Sequence, residues 1–256
     1  MRKVRPLKAV ILAAGYATRL YPLTRSKPKC LLSVGGRPLL DILCGKLRPI
    51  KNLEEIIIVT NAKFYGQFEA WKRGARSPLP VSLLNDGTRS NKTRLGAVGD
   101  LDFAIRSASI GADVLLLASD NVFQAGLDGF VDFCRRRKAI GVALHDLKDP
   151  RLAAGKYGVM QIGRNGTILK MEEKPQEPCS SLIGTGIYYF PESSLKWVGR
   201  YLGCKEAKDA PGYYLEWLLG RVRMVGFLLP GLWYDIGGLE ALKEAGKVFR
   251  KKGIER

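Results

Sequence analysis

Short apolar runs alternate with amphipathic segments along the first 145 residues. The apolar runs are bounded by polar or turn residues, which predicts buried strands at 9–12, 54–60, 81–84, 113–118 and 140–144. The segments between them have helical spacing of apolar residues, which predicts helices from Arg37-Pro38 through Leu47 and at 64–73, 95–107 and 130–138. Strands that alternate with helices predict a mostly parallel sheet covered by helices on both faces.

The pattern changes after residue 145. Asn165-Gly166 is a strong hairpin turn signal between the apolar stretches 158–162 and 168–172. Further strands are predicted at 182–190 and 225–229, and helices at 195–202, 213–219 and 239–251. No internal repeat, low-complexity linker or break in composition separates two domains, so residues 1–256 are predicted to form one domain.

Composition places the chain among soluble globular proteins. It has 256 residues, of which 46% are hydrophobic, and no apolar run approaches the length of a membrane span. The basic N-terminus is followed by an apolar run too short for a signal peptide. Five cysteines without a Cys-x-x-Cys pair favour reduced thiols, a cytoplasmic location and no zinc site.

The net charge of +18 raises the question of nucleic-acid binding. The basic residues are scattered, however, and the clusters 135–138 and 250–252 fall at predicted helix C-termini, where cations are favoured electrostatically. No nucleic-acid-binding motif accompanies them, and a positive field also attracts a small polyanionic substrate. A nucleic-acid partner is therefore not expected.

The first predicted strand leads into a loop of small residues with two spaced cations. Gly15 allows the backbone to turn sharply and to bring N–H groups close to an anion. Arg19 adds a forked cation suited to phosphate oxygens, and Lys29 a compact one. The spacing is neither that of a P-loop nor that of a dinucleotide fingerprint. These residues indicate a nucleoside triphosphate site.

The same stretch resembles the signature of the sugar-1-phosphate nucleotidyltransferases, or NDP-sugar pyrophosphorylases, which include glucose-1-phosphate thymidylyltransferase. The matching residues are Leu12-Ala13-Ala14-Gly15-x-x-Thr18-Arg19-Leu20-x-Pro22-Leu23-Thr24 and Lys27-Pro28-Lys29-x-Leu31-Leu32. The resemblance implies a three-layer, Rossmann-like α/β nucleotidyltransferase fold with a mixed, mostly parallel central sheet. It also implies a nucleotide-binding half at about 1–145 and a sugar-phosphate-binding half at about 146–256. Ala17 stands where the family usually has glycine.

The resemblance assigns roles to residues of the first loop and of the loop after the third predicted strand. Arg19 and Lys29 would be catalytic, with Lys29 bridging the α-phosphate and the attacking phosphate. The residues expected to bind the nucleotide are Ala13, Ala14, Gly15, Thr18, Arg19, Asp86 and Gly87. Asp86 departs from the glutamine of the thymidylyltransferases, and an ionised aspartate only accepts hydrogen bonds. It suits the N–H edge of guanine or cytosine better than a thymine carbonyl.

Two aspartates, more than a hundred positions apart, are candidate ligands for Mg²⁺. Asp120 follows the apolar run 114–117 in Ser119-Asp120-Asn121, where the family has Gly-Asp-Asn with a metal-binding, catalytic aspartate. Asp235 lies in a stretch similar to the family's Trp-x-Asp-x-Gly-Thr element, whose aspartate completes the site. Carboxylates and phosphate oxygens are the ligands that Mg²⁺ prefers. Taken alone, an aspartate after a strand is more often a helix cap or a turn residue than a ligand, and capping of the helix that begins near Leu239 is the alternative for Asp235.

The second half carries the candidate sugar-phosphate residues. Glu172-Glu173-Lys174-Pro175 resembles the family motif in which the second glutamate accepts hydrogen bonds from sugar hydroxyls and the lysine binds the sugar's phosphate. Glu173 and Lys174 take those roles here. Gly186, in Gly184-Thr185-Gly186, is expected either to let the backbone approach the sugar or to mark a β-bulge.

The predicted reaction is the Mg²⁺-dependent transfer of a nucleotidyl group from an NTP to a sugar 1-phosphate, giving an NDP-sugar and pyrophosphate. Two alternatives stay open. One is an enzyme of the same fold acting on phosphocholine, with aromatic residues around the quaternary ammonium; Tyr188, Tyr213, Tyr214 and Trp217 are available. The other is a non-catalytic nucleotide-binding protein. A homo-oligomer is also an option, and the base, sugar and pathway are not specified. His145 is expected to be structural.

Overall fold

The apolar runs of the sequence form a nine-stranded central sheet in the computed structural model, which describes residues 5–75, 77, 79–204 and 209–251. The strands are β1 (Leu7–Leu12), β2 (Ser33–Val34), β3 (Arg37–Pro38), β4 (Leu53–Thr60), β5 (Val81–Asn85), β6 (Asp113–Ala118), β7 (Asn121–Phe123), β8 (Ile140–Asp146), β9 (Gly158–Ile162), β10 (Ile168–Glu173), β11 (Leu182–Phe190), β12 (Met224–Leu228) and β13 (Trp233–Asp235). The helices are α1 (Leu39–Leu47), α2 (Tyr65–Gly74), α3 (Gly96–Ser107), α4 (Asp128–Arg137), α5 (Lys196–Leu202), α6 (Pro211–Leu218) and α7 (Leu239–Lys251).

The sheet joins the two halves of the chain. Its order is β10-β9-β11-β6-β1-β4-β5, and β8 and β12 extend it from β11. Strands β6, β1, β4 and β5 are mutually parallel, whereas β11 runs antiparallel to β6, β8 and β9. The prediction of a mostly parallel, mixed α/β sheet is confirmed. The insertion of β11 beside β6 makes the second half continuous with the first.

Alternating residues of the buried strands face two separate cores, which gives the three layers. Ala9 and Ile11 of β1 pack with helices α1, α2, α4 and α7, while Val10 packs with α3, α5 and α6. Strands that are apolar on both faces are typical of a sheet covered on both sides. Among the described residues, no helix combines the length and hydrophobicity needed to cross a bilayer. All five cysteines are free thiols.

Two small sheets lie outside the central one, and neither was predicted. Arg37-Pro38, predicted as the start of a helix, is a strand that pairs with Ser33-Val34. Pro38 has extended backbone angles (φ −53°, ψ 138°), so α1 begins one residue later, at Leu39. In the other small sheet β7 pairs with β13, and Asp235 lies opposite Asn121. This second pairing positions part of the site described next.

Candidate active site

A cleft of about 630 Å³ opens at the carboxyl ends of the parallel strands, where ligands bind in open α/β sheets. Eleven of the residues assigned from the sequence line it: Ala13, Ala14, Gly15, Thr18, Arg19, Lys29, Asp120, Glu173, Lys174, Gly186 and Asp235. The other two, Asp86 and Gly87, lie outside this lining set. The structure therefore brings residues from both halves of the chain around one space.

The small-residue loop after β1 is held from two sides. The Ala13 N–H donates to the Val59 carbonyl (2.8 Å), and the Asn61 side-chain amide donates to the Ala14 carbonyl (2.8 Å). Gly15 is exposed, and an added Cβ there would meet no atom within 4 Å, so its face toward the cleft is open. The loop thus presents backbone to the cleft with room for a ligand.

Ala17 adopts a backbone conformation that favours glycine. Its φ of 44° lies in the left-handed region, which costs an L-residue with a Cβ about 1 kcal/mol or more. The Thr24 hydroxyl donates to the Ala17 carbonyl (2.8 Å) and supports this conformation. Alanine adds only a Cβ at this position, and the loop carries it in the left-handed conformation.

An ion pair marks the centre of the cleft. Lys29 Nζ lies 3.0 Å from Asp120 Oδ2, and the lysine side chain is only 14% exposed. Lys29 is placed by a 3-10 turn, Lys29–Leu31, whose apolar residues are buried. Arg19, from a second short turn, Thr18–Leu20, is exposed and lines the same cleft. A partly desolvated cation is thereby held where it can exchange its carboxylate partner for a phosphate.

Asp120 and Asp235 are brought together by the two small strands. Asp235 pairs with Asn121, the neighbour of Asp120, and the Ile236 N–H donates to the Asp120 carbonyl (2.9 Å). Burial and the charge of Asp120 raise the pKa of Asp235, while Lys29 and Arg19 oppose that shift. Asp235 ends a strand four residues before α7 begins at Leu239, so it does not occupy the capping position next to that helix, which is Gly238.

The sugar-phosphate candidates form another wall of the cleft. The Glu173 side chain is 8% exposed, and burial raises the pKa of its carboxyl group. Gly158 and Gly212 leave it room, since an added Cβ would lie 2.7 Å and 1.7 Å from Glu173 Oε2. Lys174 is 46% exposed, with Nζ 3.9 Å from Glu173 Oε1. This wall therefore combines a buried acceptor with an accessible cation.

The backbone conformation at position 186 requires glycine. Its φ is 77°, and an added Cβ would lie 3.0 Å from both Ala118 Cβ and Asn121 Nδ2. The register of β11 against β8 shifts between Gly184 and Tyr188, as at a β-bulge. The bulge allows β11 to pass close to the segment that carries Asp120.

One end of the cleft is acidic: Asp100 and Asp209 line it, and Asp86, which does not line it, acts on Asp100 from outside. Asp86 accepts hydrogen bonds from the Thr88 N–H (2.7 Å) and hydroxyl (2.8 Å), and Thr88 in turn contacts the Tyr16 hydroxyl (3.2 Å). Asp100, on α3, is 6% exposed and lines the cleft. Burial, the charges of Asp86 and Asp209, and a hydrogen bond with Asp86 raise the pKa of Asp100 to about 7. The sequence reading missed Asp100 and Asp209.

Aromatic residues in the cleft differ from those the sequence suggested. Tyr188 lines it, but Tyr213, Tyr214 and Trp217 do not, and Tyr214 and Trp217 belong to the core around α5 and α6. Instead, Tyr157 and Trp233 line the cleft together, with ring centroids 5.7 Å apart. His145 packs against Trp233 behind them, and burial lowers the pKa of its imidazole.

Among the described residues, no group of three or more histidine, cysteine, aspartate or glutamate side chains forms a ready-made metal centre. Two converging carboxylates fit Mg²⁺, because this ion uses one or two carboxylates and completes its shell with phosphate oxygens and water. Burial and the charge of Asp120 raise the pKa of Asp235 although Lys29 and Arg19 oppose the shift, and a bound cation would offset the repulsion between the two carboxylates.

Comparison with known proteins places this cleft in context. A family model described as nucleotidyl transferase matches residues 8–252. The chain is 32% identical over 187 residues, 72% of each chain, to the UTP–glucose-1-phosphate uridylyltransferase AglF of Haloferax volcanii. It is 24% identical over 250 residues to the bifunctional protein GlmU of Methanocaldococcus jannaschii, covering 96% of this chain but 55% of that protein. The chain thus spans about half the length of that relative.

A solved structure shares the fold over nearly the whole chain. It is described as that of a glucose-1-phosphate thymidylyltransferase from Bacillus anthracis in complex with a sucrose, and the match has a TM-score of 0.81 at 25% identity, covering 95% of both chains. The relatives named here differ in the base of their nucleotide, uracil in one and thymine in another. Similarity alone therefore leaves the base of this protein open.

Proposed function

The chain belongs to the nucleotidyl transferase family, and from this premise we propose that it transfers a nucleotidyl group from an NTP to a sugar 1-phosphate. The products are an NDP-sugar and pyrophosphate. The observation that carries the proposal is the convergence of Lys29, Asp120 and Asp235 in the cleft beside the Gly15 loop. That arrangement answers the main difficulty of the reaction, which is the approach of two anions.

In the proposed reaction, an oxygen of the sugar phosphate attacks the α-phosphorus of the NTP in line with the departing pyrophosphate. One P–O bond forms at the α-phosphorus and the bond to the bridging oxygen breaks, so the reaction needs no oxidant and no net proton transfer. Catalysis of such a step consists of positioning and of charge neutralisation. An acid–base histidine is not required, in keeping with the place of His145 behind Trp233.

Lys29 is proposed to exchange Asp120 for the two reacting phosphates. Its ammonium group is already held within the cleft at 3.0 Å from Asp120 and is mostly shielded from water. Charge interactions in such a partly desolvated place are stronger than in bulk water. Arg19 and the backbone of the Gly15 loop are proposed to bind the β- and γ-phosphates, because an exposed guanidinium can bind phosphate oxygens in a fork.

Asp120 and Asp235 are proposed to hold Mg²⁺. When bound, the ion neutralises phosphate charge and orients the α-phosphate. The two carboxylates are fixed by the β7–β13 pairing rather than by flexible loops alone, which supports a stable pair of oxygen ligands.

Glu173 and Lys174 are proposed to bind the sugar 1-phosphate. The Glu173 carboxylate, which packs against Gly158 and Gly212 and lines the cleft, can accept hydrogen bonds from sugar hydroxyls, and the accessible lysine can bind the sugar's phosphate. Of the four aromatic residues considered for a phosphocholine site, only Tyr188 lines the cleft. The cleft carries Tyr157 and Trp233 instead, and it is the pairing of Glu173 with Lys174 that supports a sugar phosphate as acceptor.

The test is a matrix of GTP, UTP, dTTP, CTP and ATP against several sugar 1-phosphates and phosphocholine, read by pyrophosphate release with and without Mg²⁺. We expect release that requires both Mg²⁺ and a sugar 1-phosphate. Release with phosphocholine alone would redirect the proposal to that acceptor. Tight NTP binding without release for any acceptor would indicate a non-catalytic nucleotide-binding protein.

A further inference from the structure

Cationic side chains of the described residues line the cleft at five positions: Arg19, Lys29, Arg94, Lys156 and Lys174. Three of these cations have a carboxylate partner: Lys29 has Asp120, Arg94 has Asp209 and Lys174 has Glu173. Arg19 and Lys156 form no ion pair with any residue that the structure describes. Arg19 is proposed to bind the triphosphate, so Lys156 is the cation that has no role yet.

Lys156 lies on a turn that is anchored to the core. Its N–H donates to the Ala153 carbonyl (3.0 Å), and Ala153 is fully buried in a small cluster with Val159 and Ile183. Gly155, the preceding residue, has a φ of 65°, which glycine adopts without steric cost. The backbone that carries Lys156 is therefore fixed, although the residue itself is exposed.

Backbone hydrogen bonds place Lys156 beside Lys174. The Lys174 N–H donates to the Tyr157 carbonyl (3.1 Å), and the Gly155 N–H donates to the Pro175 carbonyl (2.9 Å). Lys156 lies between these two bonds. The two lysines are thus neighbours on adjacent segments of the chain, and both line the same cleft.

The residue after Lys156 connects this pair of lysines with the proposed metal carboxylates. Burial and the charges of Asp235 and Asp120 raise the pKa of Tyr157. The Tyr157 ring also packs against Trp233, two residues before Asp235. Lys156 is therefore carried at the border between the sugar wall and the place proposed for the metal. The phosphate of the acceptor must lie there if one of its oxygens is to reach the α-phosphorus.

The charge of a phosphate monoester calls for a second cation at this wall. Such a group carries about −1.5 to −2 charges at pH 7. Lys174 contributes one positive charge, and Glu173 opposes it with an oxygen 3.9 Å from the lysine Nζ. Lys174 alone therefore leaves most of the phosphate charge uncompensated, whereas a neighbouring unpaired ammonium group would compensate it.

We propose that Lys156 binds the phosphate of the sugar 1-phosphate together with Lys174. The inference rests on the proposed function and adds a substrate-binding residue to its acceptor site. The two ammonium groups approach the phosphate from neighbouring segments, so they hold its orientation as well as its charge.

The experiment compares the wild-type protein with Lys156→Met, which removes the charge and keeps the length of the side chain, and with Lys156→Arg, which keeps the charge. The matched control is Lys170→Met, an exposed lysine of β10 that pairs with Glu172 and does not line the cleft. Pyrophosphate release gives kcat and the KM of each substrate. Calorimetry gives the Kd of each sugar 1-phosphate in the panel, and thermal unfolding verifies that every variant is folded.

We expect Lys156→Met to raise the KM and the Kd of the sugar 1-phosphate about tenfold or more, because a hydrogen bond to a charged group typically contributes that much. The KM of the NTP should stay within about twofold. Lys156→Arg should remain within about threefold of wild type, and Lys170→Met should match it. Added salt should weaken sugar 1-phosphate binding less in Lys156→Met than in wild type, since one charge interaction fewer is screened.

An unchanged KM and Kd of the sugar 1-phosphate in folded Lys156→Met would overturn the inference. An equal loss in Lys170→Met would also overturn it, as would a rise in the KM of the NTP as large as that of the sugar 1-phosphate. Failure of the proposed function has a different signature: no NTP would release pyrophosphate with any acceptor. In that case weaker sugar 1-phosphate binding by Lys156→Met in calorimetry would still uphold the assignment, and absence of binding by wild type would overturn it.

Discussion

The two ends of the cleft differ in the charges of the side chains around them. At the end proposed to bind phosphates, Arg19 and Lys29 line the cleft together with Asp120 and Asp235, so positive and negative groups are balanced there. At the acidic end, Asp86 and Asp209 act on the charge of Asp100, and Arg94 pairs with Asp209. The contrast teaches that net charge is a poor guide to local electrostatics here: a chain of +18 has a locally acidic end in its cleft.

The largest effect is expected from removing the cation of the phosphate end. Lys29→Ala should lower kcat roughly 10²–10³-fold, because one preorganised donor to the transition-state charge typically contributes that much. The protein should remain folded, since Lys29 lies on a turn whose burial depends on its apolar neighbours. Pyrophosphate release measures the effect, and exposed Lys27→Ala is the control. A near-normal rate would remove Lys29 from the mechanism.

The second largest effect is expected from Asp235, a proposed ligand of Mg²⁺. Asp235→Asn should lower activity on the order of 10²-fold at low Mg²⁺, with partial recovery as Mg²⁺ is raised, because the amide is a weaker ligand than the carboxylate. A Mg²⁺ titration of the rate separates this from a structural defect. Asp132→Asn, at an exposed position of α4, should titrate like wild type. An identical Mg²⁺ requirement in Asp235→Asn would contradict the ligand assignment.

The free energy of unfolding should depend on pH through Asp100, whose pKa is raised to about 7 in the folded protein. In the unfolded chain the group releases its proton near pH 4, so the native state binds the extra proton and is destabilised as pH rises from about 4 to 7. Asp86 and Asp209 add to the effect of burial on this pKa, and the charge of Asp100 in turn raises the pKa of Tyr16.

Asp100→Asn should remove this dependence. Between pH 5 and 7, wild type should lose up to about 2 kcal/mol more unfolding free energy than the variant, because each pH unit across the window is worth about 1.4 kcal/mol. Denaturant unfolding at several pH values measures the difference, and subtraction of the two curves cancels His145 and other common groups. Parallel curves would show that Asp100 ionises normally.

The smallest effect should arise at the sugar wall. Gly212→Ala places a Cβ 1.7 Å from Glu173 Oε2, so the carboxylate must move. We expect the KM for the sugar 1-phosphate to rise about tenfold while the KM for the NTP changes little, because a displaced acceptor weakens one substrate only. Gly66→Ala on α2, where a Cβ meets nothing within 4 Å, should be neutral. Equal changes in both KM values would point to a general defect.

The sequence anticipated the central sheet because its strands are apolar on both faces, and such runs are recognisable without tertiary information. It missed β7 and β13 because three residues carry no periodicity; their pairing is decided by tertiary contact. The approach of Asp235 to Asp120 was consequently expected from resemblance rather than from any pattern of residues.

Asp100 was overlooked for a different reason. A single aspartate in a predicted helix is usually solvent-exposed, yet this one lies four residues from Gly96 and from Ala104, both of which are buried. A charged residue on the apolar face of a helix is the signal that could have identified it. Asp209 offered no comparable signal, because its contact with Ala97 joins segments more than a hundred residues apart.

The pairing of β7 with β13 makes the spacing of residues in these two strands intolerant of change. Adding or deleting a single residue within Val122–Phe123 would shift the ladder by one step and turn every following side chain to the reverse face. Point substitutions in these strands can be absorbed by repacking, but a change in their length cannot. Descendants of this protein should therefore accumulate insertions and deletions elsewhere, in loops remote from these six residues.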